Sequence, residues 1–353
     1  MEYGAIDLHK VRSWIRIVDA EGRPVLETRI TTSRAEFTRV LGARPPMRVV
    51  VESSTESEWV AQTLEALGHD VIVADPNYVA MYGTRDRKVK TDRRDVTALA
   101  EACRTGVYRR AHRVGTAARD LRRTLRVRTQ LVRVRTSAIC LVRSMLRQEG
   151  LRLRSGNAET ILRRLDQLTV PAELVMILTP LRALLAHVNA ELHALEQTLT
   201  TAARHDPRVQ RLMTAPGVGP LVALHFVAVL DTPARFGGSA ARASAFVGLV
   251  PSEDSSAERR LKGHITKAGP RDLRALLVQA SWTVWRSKTA DAQPLRPWAY
   301  ALAARRGRRI AVVALARRLS RILYALWRDE TEFRVPVRPA PAAGRDTRCE
   351  IGG

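Results

Sequence analysis

Cysteine is scarce: three in a chain of 353 residues, at positions 103, 140 and 349. Such an odd, scattered set builds neither a disulfide framework nor a zinc knuckle, and a reducing cytoplasm is the setting it implies. Long apolar runs are missing as well. No uninterrupted stretch reaches the roughly 18 residues that span a bilayer, and the nearest, residues 310–327, is broken by Arg317, Arg318 and Arg321. The first residues pass straight into strand-like sequence without a charged-then-apolar leader, so a soluble cytoplasmic protein with no membrane partner is expected. The remaining shortage is of acids: 35 Asp and Glu face 59 Lys and Arg, a formal net charge of +24. Self-repulsion on that scale disfavours a compact chain unless a polyanion neutralises it, so nucleic acid is the expected partner. A genome that favours Arg codons produces a similar excess, and a membrane surface is the weaker competitor.

What is present suggests two or three domains, with 45% hydrophobic residues to build their cores. Residues 3–8, 13–18 and 25–31 read as strands, with Glu21-Gly22-Arg23-Pro24 turning between the last two. Ser33 is placed to cap a helix through Leu41. A strand follows at 47–52, a helix at 55–67 stopped by Gly68, a strand at 70–74, and a helix capped by Thr91 that ends at Gly106. Strands joined through helices imply a largely parallel sheet, and three leading antiparallel strands make the expectation an α/β, ribonuclease-H-like domain over residues 1–112. From 113 to 205 apolar residues recur at three and four positions, the mark of long amphipathic helices, possible as a coiled-coil hairpin, with its loop near 150–157. A smaller, mostly helical unit is expected over 206–330. The tail, 331–353, is rich in Pro, Ala and Arg and is expected to be disordered.

Four carboxylates stand out by position. Asp7 ends the first strand, and Glu52 ends the fourth after three valines. Asp92 and Asp95 lie three apart at the start of a helix, on one face. If the first and fourth strands are central neighbours, the four converge, and converging carboxylates call for a hard cation, Mg²⁺ or Mn²⁺. Two such ions can clamp the attacking and leaving oxygens of a phosphodiester. The helix dipole alone also accounts for Asp92 and Asp95. Lys88 and Lys90, beside this helix, are candidates for tracking backbone phosphates. In Pro216-Gly217-Val218-Gly219-Pro220 the amides of Gly217 and Gly219 can face a phosphate, as in a helix-hairpin-helix turn, or simply make a tight turn between packed helices.

Gly4-Ala5-Ile6-Asp7-Leu8-His9-Lys10, Glu52-Ser53-Ser54 and Lys90-Thr91-Asp92-Arg93-Arg94-Asp95 resemble the DEDD signature of one group of insertion-sequence transposases, the family numbered one hundred and ten. Pro216 to Pro220, Phe236, Phe246 to Pro251, Ser255-Ser256, Gly263 to Lys267 and Gly269 to Leu276 follow that family's second domain in order. The resemblance spans roughly residues 1 to 290. It implies a RuvC-like domain whose acids bind Mg²⁺, a coiled-coil insert used in assembly, and a C-terminal domain whose serine attacks a DNA phosphate. It further implies a composite site across the subunits of a dimer or tetramer, and a structured guide RNA that pairs with target and donor DNA. The matching serine is Ser256, expected in a polar loop. The family usually has Gly after it, whereas Ala257 follows here, which keeps Ser255 as the alternative. Arg259, Arg260, Lys262 and Lys267 stand nearby to stabilise transition-state charge. Two other readings fit the same residues: a RuvC-like nuclease without a covalent step, and a nucleic-acid scaffold whose acids are structural.

Overall fold

The computed structural model describes residues 1–83, 92–256 and 259–335; Lys88, Lys90, the Thr91 cap and the tail from 336 onward lie outside them. The chain divides into two compact units, Met1–Val114 and Gly115–Gly353.

The first unit is one mixed sheet with helices on both faces. Its elements are β1 (Tyr3–Asp7), β2 (Arg12–Val18), β3 (Pro24–Thr31), α1 (Arg34–Leu41), β4 (Arg48–Glu52), α2 (Ser57–Ala66), β5 (Asp70–Ala74) and α3 (Asp92–Thr105). Strand order is β3-β2-β1-β4-β5. β1, β2 and β3 are antiparallel, and β4 and β5 continue the sheet in parallel from β1. Period-two alternation sends successive side chains to opposite faces. Ile6, Val49, Val51, Val71 and Val73 join Phe37, Val60 and Leu64 on the face covered by α1 and α2. Ala5, Val50, Ile72 and Ala74 meet Val96, Leu99 and Cys103 of α3 on the other. β4 and β5 are therefore buried on both sides, which is why they read as continuous apolar runs. The Ser33 hydroxyl accepts from the Glu36 amide and fixes where α1 begins. Gly68 and Gly106 take positive φ after α2 and α3, a conformation that glycine adopts without strain. Cys103 is buried, and burial pushes its thiol up to about 12, which suits an inert packing residue.

The second unit is mostly helical. α4 (Thr116–Gln148) and α6 (Ala172–His205) are antiparallel partners, tied by Arg128–Glu196 and Arg135–Asn189 contacts. The connection between them is longer than expected. Beyond 150–157 it contains a 3₁₀ turn and the short α5 (Ile161–Asp166), whose Ile161 and Leu165 pack into the distal half of the hairpin. Six residues are too few to show a helical period, and Arg164 organises the segment by donating to the carbonyls of Arg154 and Asn157. By length and apolarity α6 is the one helix among the described residues that can cross a membrane, with a best window of mean hydropathy 1.2. It displaces residues 310–327 as the strongest span candidate. The buried residues of α6, such as Leu178, Leu185, Val188, Leu192 and Leu199, recur at helical spacing.

The remaining helices are α7 (Pro207–Met213), α8 (Pro220–Leu230), α9 (Ala240–Phe246), α10 (Arg271–Arg286), α11 (Arg296–Arg306) and α12 (Arg308–Arg328). α8, apolar except for His225, is buried by its neighbours. One hairpin, β6 (Pro251–Ser256) with β7 (Arg259–Ile265), interrupts the helical order. Residues 331–333 are not loose: the Phe333 amide donates to Thr214 Oγ1 at 2.8 Å, and the ring packs against the core.

Candidate metal centre

Strand parity decides which acids meet. Asp7 points the way Ala5 does, and Glu52 the way Val50 does, so both face α3. β1 and β4 are parallel partners with Ile6 opposite Val51, which sets Asp7 and Glu52 side by side where the two strands end. α3 brings Asp92 and Asp95 in its first turn. Asp7 and Asp95 are buried, at 7% and 8% exposure, while Asp92 is exposed. All four sequence candidates therefore belong to one end of one unit.

His9 sits between two of them. Its Nε2 lies 3.3 Å from Asp7 Oδ2 and 3.8 Å from Asp92 Oδ1. One donor atom each from Asp7, His9 and Asp92 fall within 4.8 Å of one another. Glu52 and Asp95 are outside that trio but still felt electrostatically. Burial raises the Asp7 pKa, His9 pulls it down, and Asp92, Asp95 and Glu52 each push it up again. The Tyr82 hydroxyl donates to Glu52 Oε2 at 2.8 Å. Burial, that hydrogen bond and the charges of Glu52, Asp95 and Asp7 hold the phenol well above its usual pKa, so it remains a donor. Beside the acids, an open cavity of about 430 Å³ is lined by His9, Lys10, Val11, Arg12, Arg29 and Asp92. Three cations there stand ready for an anionic ligand.

The donor set fits a divalent cation. A buried carboxylate surrounded by three others is disfavoured in its charged form, and a hard cation reverses that penalty. His9 adds a nitrogen that Mn²⁺ accepts more readily than Mg²⁺ does. His9 and Tyr82 were absent from the sequence candidates. The Asp-x-His spacing at the end of a strand was a signal for His9. Nothing in sequence spacing links Tyr82 to Glu52.

The serines belong to the second unit. Ser255 and Ser256 are strand residues at the end of β6, not members of a polar loop, with Ser255 opposite Arg260 and Ser256 opposite Arg259. The run is polar on both faces, so alternation did not reveal a strand; backbone pairing carries it. At Gly263 a Cβ would lie 2.5 Å from Ser252 Oγ, so a side chain there would need that hydroxyl to turn aside. The side chains of Ser255, Ser256, Arg259, Arg260 and Lys262 lie outside the described residues. Lys267 is exposed, has φ +53, and donates its amide to the Gly248 carbonyl. Gly217 has φ +75 and approaches α10 so closely that a Cβ would lie 2.6 Å from the Ala280 carbonyl oxygen, so packing alone demands glycine there. Gly219, the residue before α8, has open space where a Cβ would stand.

Comparison with known proteins agrees with this architecture. Residues 5–150 match a DEDD family of the IS110 type described as "Transposase", and residues 209–295 match "Transposase IS116/IS110/IS902 family". A "Probable family 20 transposase" of Pseudomonas aeruginosa is 30% identical over 335 residues, covering 93% of this chain and 97% of the relative. The transposase for insertion sequence element IS1328 of Yersinia enterocolitica is 27% identical with the same coverage. That for IS1111A of Coxiella burnetii is 28% identical over 90% of this chain and 87% of its own length. With two family matches in order and a relative aligned almost end to end, the chain belongs to the IS110 family of transposases, enzymes that cut and rejoin DNA.

Proposed function

We propose that this transposase moves its element through a serine–phosphate covalent step, supported by Mg²⁺ or Mn²⁺ at a RuvC-like acid cluster and directed by a structured RNA. The observation that carries the reading is the convergence of Asp7, His9 and Asp92 next to a cavity lined by Lys10, Arg12 and Arg29. When bound, a divalent cation there supplies Lewis-acid polarisation of a phosphoryl oxygen. Asp7, Asp92, Glu52 and Asp95 hold it, with His9 as a further donor, and Tyr82 keeps Glu52 oriented. Lys10, Arg12 and Arg29 bind the phosphodiester.

Ser256, with Ser255 as the alternative, attacks phosphorus. A serine oxygen–phosphorus bond forms as the phosphorus–sugar oxygen bond breaks, the serine loses its proton, and the sugar oxygen leaves as a hydroxyl. Arg259 and Arg260, opposite the serines in register, together with Lys262 and Lys267, balance the charge that develops. A second copy of the chain completes the site. The coiled-coil pairing of α4 and α6 serves that assembly, a role supported by the exposed apolar residues Val175, Met176, Ile177 and Leu184 on α6. Lys88, Lys90, Gly217 and Gly219 contact nucleic-acid backbone, and specificity is delegated to base pairing with the guide RNA. The cytoplasm is its compartment.

The test is a denaturing gel for a covalent protein–DNA adduct, using element-end DNA, flank-derived RNA and Mg²⁺. Loss of the adduct in both Ser256→Ala and Asp7→Ala supports the composite mechanism, and loss in Ser255→Ala instead moves the nucleophile by one residue. Free cleaved ends without an adduct, insensitive to both serines, replace the reading with a RuvC-like nuclease.

A further inference from the structure

We propose that the face formed by α10 and the start of α12 binds an unpaired nucleotide, with its base against tryptophan and its phosphate on arginine. An open cavity of about 710 Å³ is lined there by Gln279, Trp282, Thr283, Trp285, Arg286 and Arg308. That volume lies within the roughly 300–1,000 Å³ typical of small-molecule sites. Gln279, Thr283 and Arg286 recur at four and three positions along α10 and are exposed. The two indoles between them are half-buried.

The tryptophans are anchored. The ring centroids of Trp282 and Trp285 are 6.2 Å apart, and Trp285 meets Tyr300 edge-on at 4.5 Å. Trp285 also packs on a small core of Val284, Ala292, Leu295, Ala299 and Leu315. The Tyr300 hydroxyl donates to the Trp285 carbonyl at 2.9 Å. The Arg308 guanidinium lies 5.5 Å from the centre of the Trp282 ring. The rings meet edge to face, with Arg308 over the Trp282 ring, and an aromatic ring beside a cation is a pairing on which proteins stack single-stranded bases while holding the adjoining phosphate. Gln279 and Thr283 add hydrogen-bonding groups at the edge.

Charge selects the occupant. Residues 279–309 carry seven Arg or Lys against one acid, Asp291. Among the described residues no ion pair occupies Arg286 or Arg308, and α12 has no acid in its first turn. A second copy of a +24 chain would bring more positive charge to this face, whereas a polynucleotide brings the opposite sign. Duplex DNA keeps its bases stacked inside, out of reach of a concave aromatic site, so the ligand class is a single-stranded or extruded nucleotide. The inference deepens the nucleic-acid reading of the family but needs neither the acid cluster nor the serine.

The experiment measures binding of full-length protein in EDTA to fluorescent oligothymidylate, oligouridylate and a duplex of equal length, by anisotropy. Trp282→Ala is expected to weaken single-strand binding about tenfold, with duplex binding changed less than about twofold. Trp282→Tyr, which preserves a stacking ring, stays within about threefold of the parent. Arg308→Ala, at an exposed position, weakens single-strand binding without touching the core. A loss seen with one homopolymer alone supports the site and shows which of the two strands it prefers. Equal losses on single strand and duplex, or none, overturn it. So does a change in sedimentation with unchanged binding, which would make the face a contact between protein copies. Because the titration is run in EDTA and no cleavage is measured, it reads neither the acid cluster nor the serine, so a failure of this site is distinguishable from a failure of the recombination chemistry.

Discussion

At the scale of single residues, Asp7 carries the largest conflict between folding and function. Its carboxyl is buried at the end of an apolar strand and faces three other acids. Burial and those neighbours raise its pKa against the opposing pull of His9, so the metal-free fold holds the proton more readily than the unfolded chain does. The stability this contributes is complete below the ordinary carboxylate range and is lost as pH rises through the raised folded value. At neutral pH an ionised Asp7 is therefore a liability that a cation removes. Asp7→Asn should unfold at no lower urea concentration than the parent in EDTA at pH 7, with the gap closing as pH falls toward 4. In Mg²⁺ or Mn²⁺ the parent should gain stability and Asp7→Asn almost none. His9→Ala should lose about tenfold in Mn²⁺ affinity by calorimetric titration and less in Mg²⁺, since only the former readily accepts an imidazole. Equal gains for parent and Asp7→Asn would remove Asp7 from the ligand set.

At the scale of elements, local signals were strong where a residue does one physical job. Ser33, Gly68 and Gly106 mark helix ends because each satisfies or releases the backbone there. The acids were legible for a related reason. Asp7 and Glu52 interrupt apolar strands, and strand parity turns that interruption into a shared face. α5 and the β6–β7 hairpin were not legible: one is too short for a period, and the other is polar on both sides. Tyr82 escaped because its partner Glu52 is 30 residues away and is reached only through the fold, whereas His9 carried a local signal in its spacing from Asp7. Asp206 is another side-chain cap. It accepts from the Arg208 amide at 2.9 Å and pairs with the guanidinium at 2.7 Å at the start of α7. Burial alone would raise its pKa, but the Arg208 hydrogen bonds and charge win and lower it. Its contribution is thus present above the ordinary Asp range and lost as pH falls through the depressed value. Asp206→Ala should cost about 1 kcal/mol at pH 7, read from urea midpoints, and the difference should shrink in acid. An undiminished difference at low pH would mean that packing, not the charged cap, is what was lost.

At the scale of the whole molecule, the surplus of cations exceeds what the sites require. A metal centre and one nucleotide cavity use only a handful of the 59 Lys and Arg. Many of the others are already engaged internally, as Arg113 is with Glu58 and Glu65, or Arg122 with the Ala228 and Val229 carbonyls. The exposed remainder forms a diffuse field, and such a field binds phosphates by releasing counterions. Its signature is a steep, sequence-independent loss of affinity with salt, about a thousandfold or more between 50 and 200 mM for six or more phosphate contacts. Duplex binding should follow that slope. The stacking at Trp282 adds affinity without releasing counterions, so the ratio of parent to Trp282→Ala affinity for single strands should stay nearly constant over the same range. Anisotropy titrations at several salt concentrations separate the two contributions. A shallow duplex slope would confine nucleic-acid contact to a few sites, whereas a ratio that collapses with salt would show Trp282 acting only by holding Arg308 in place.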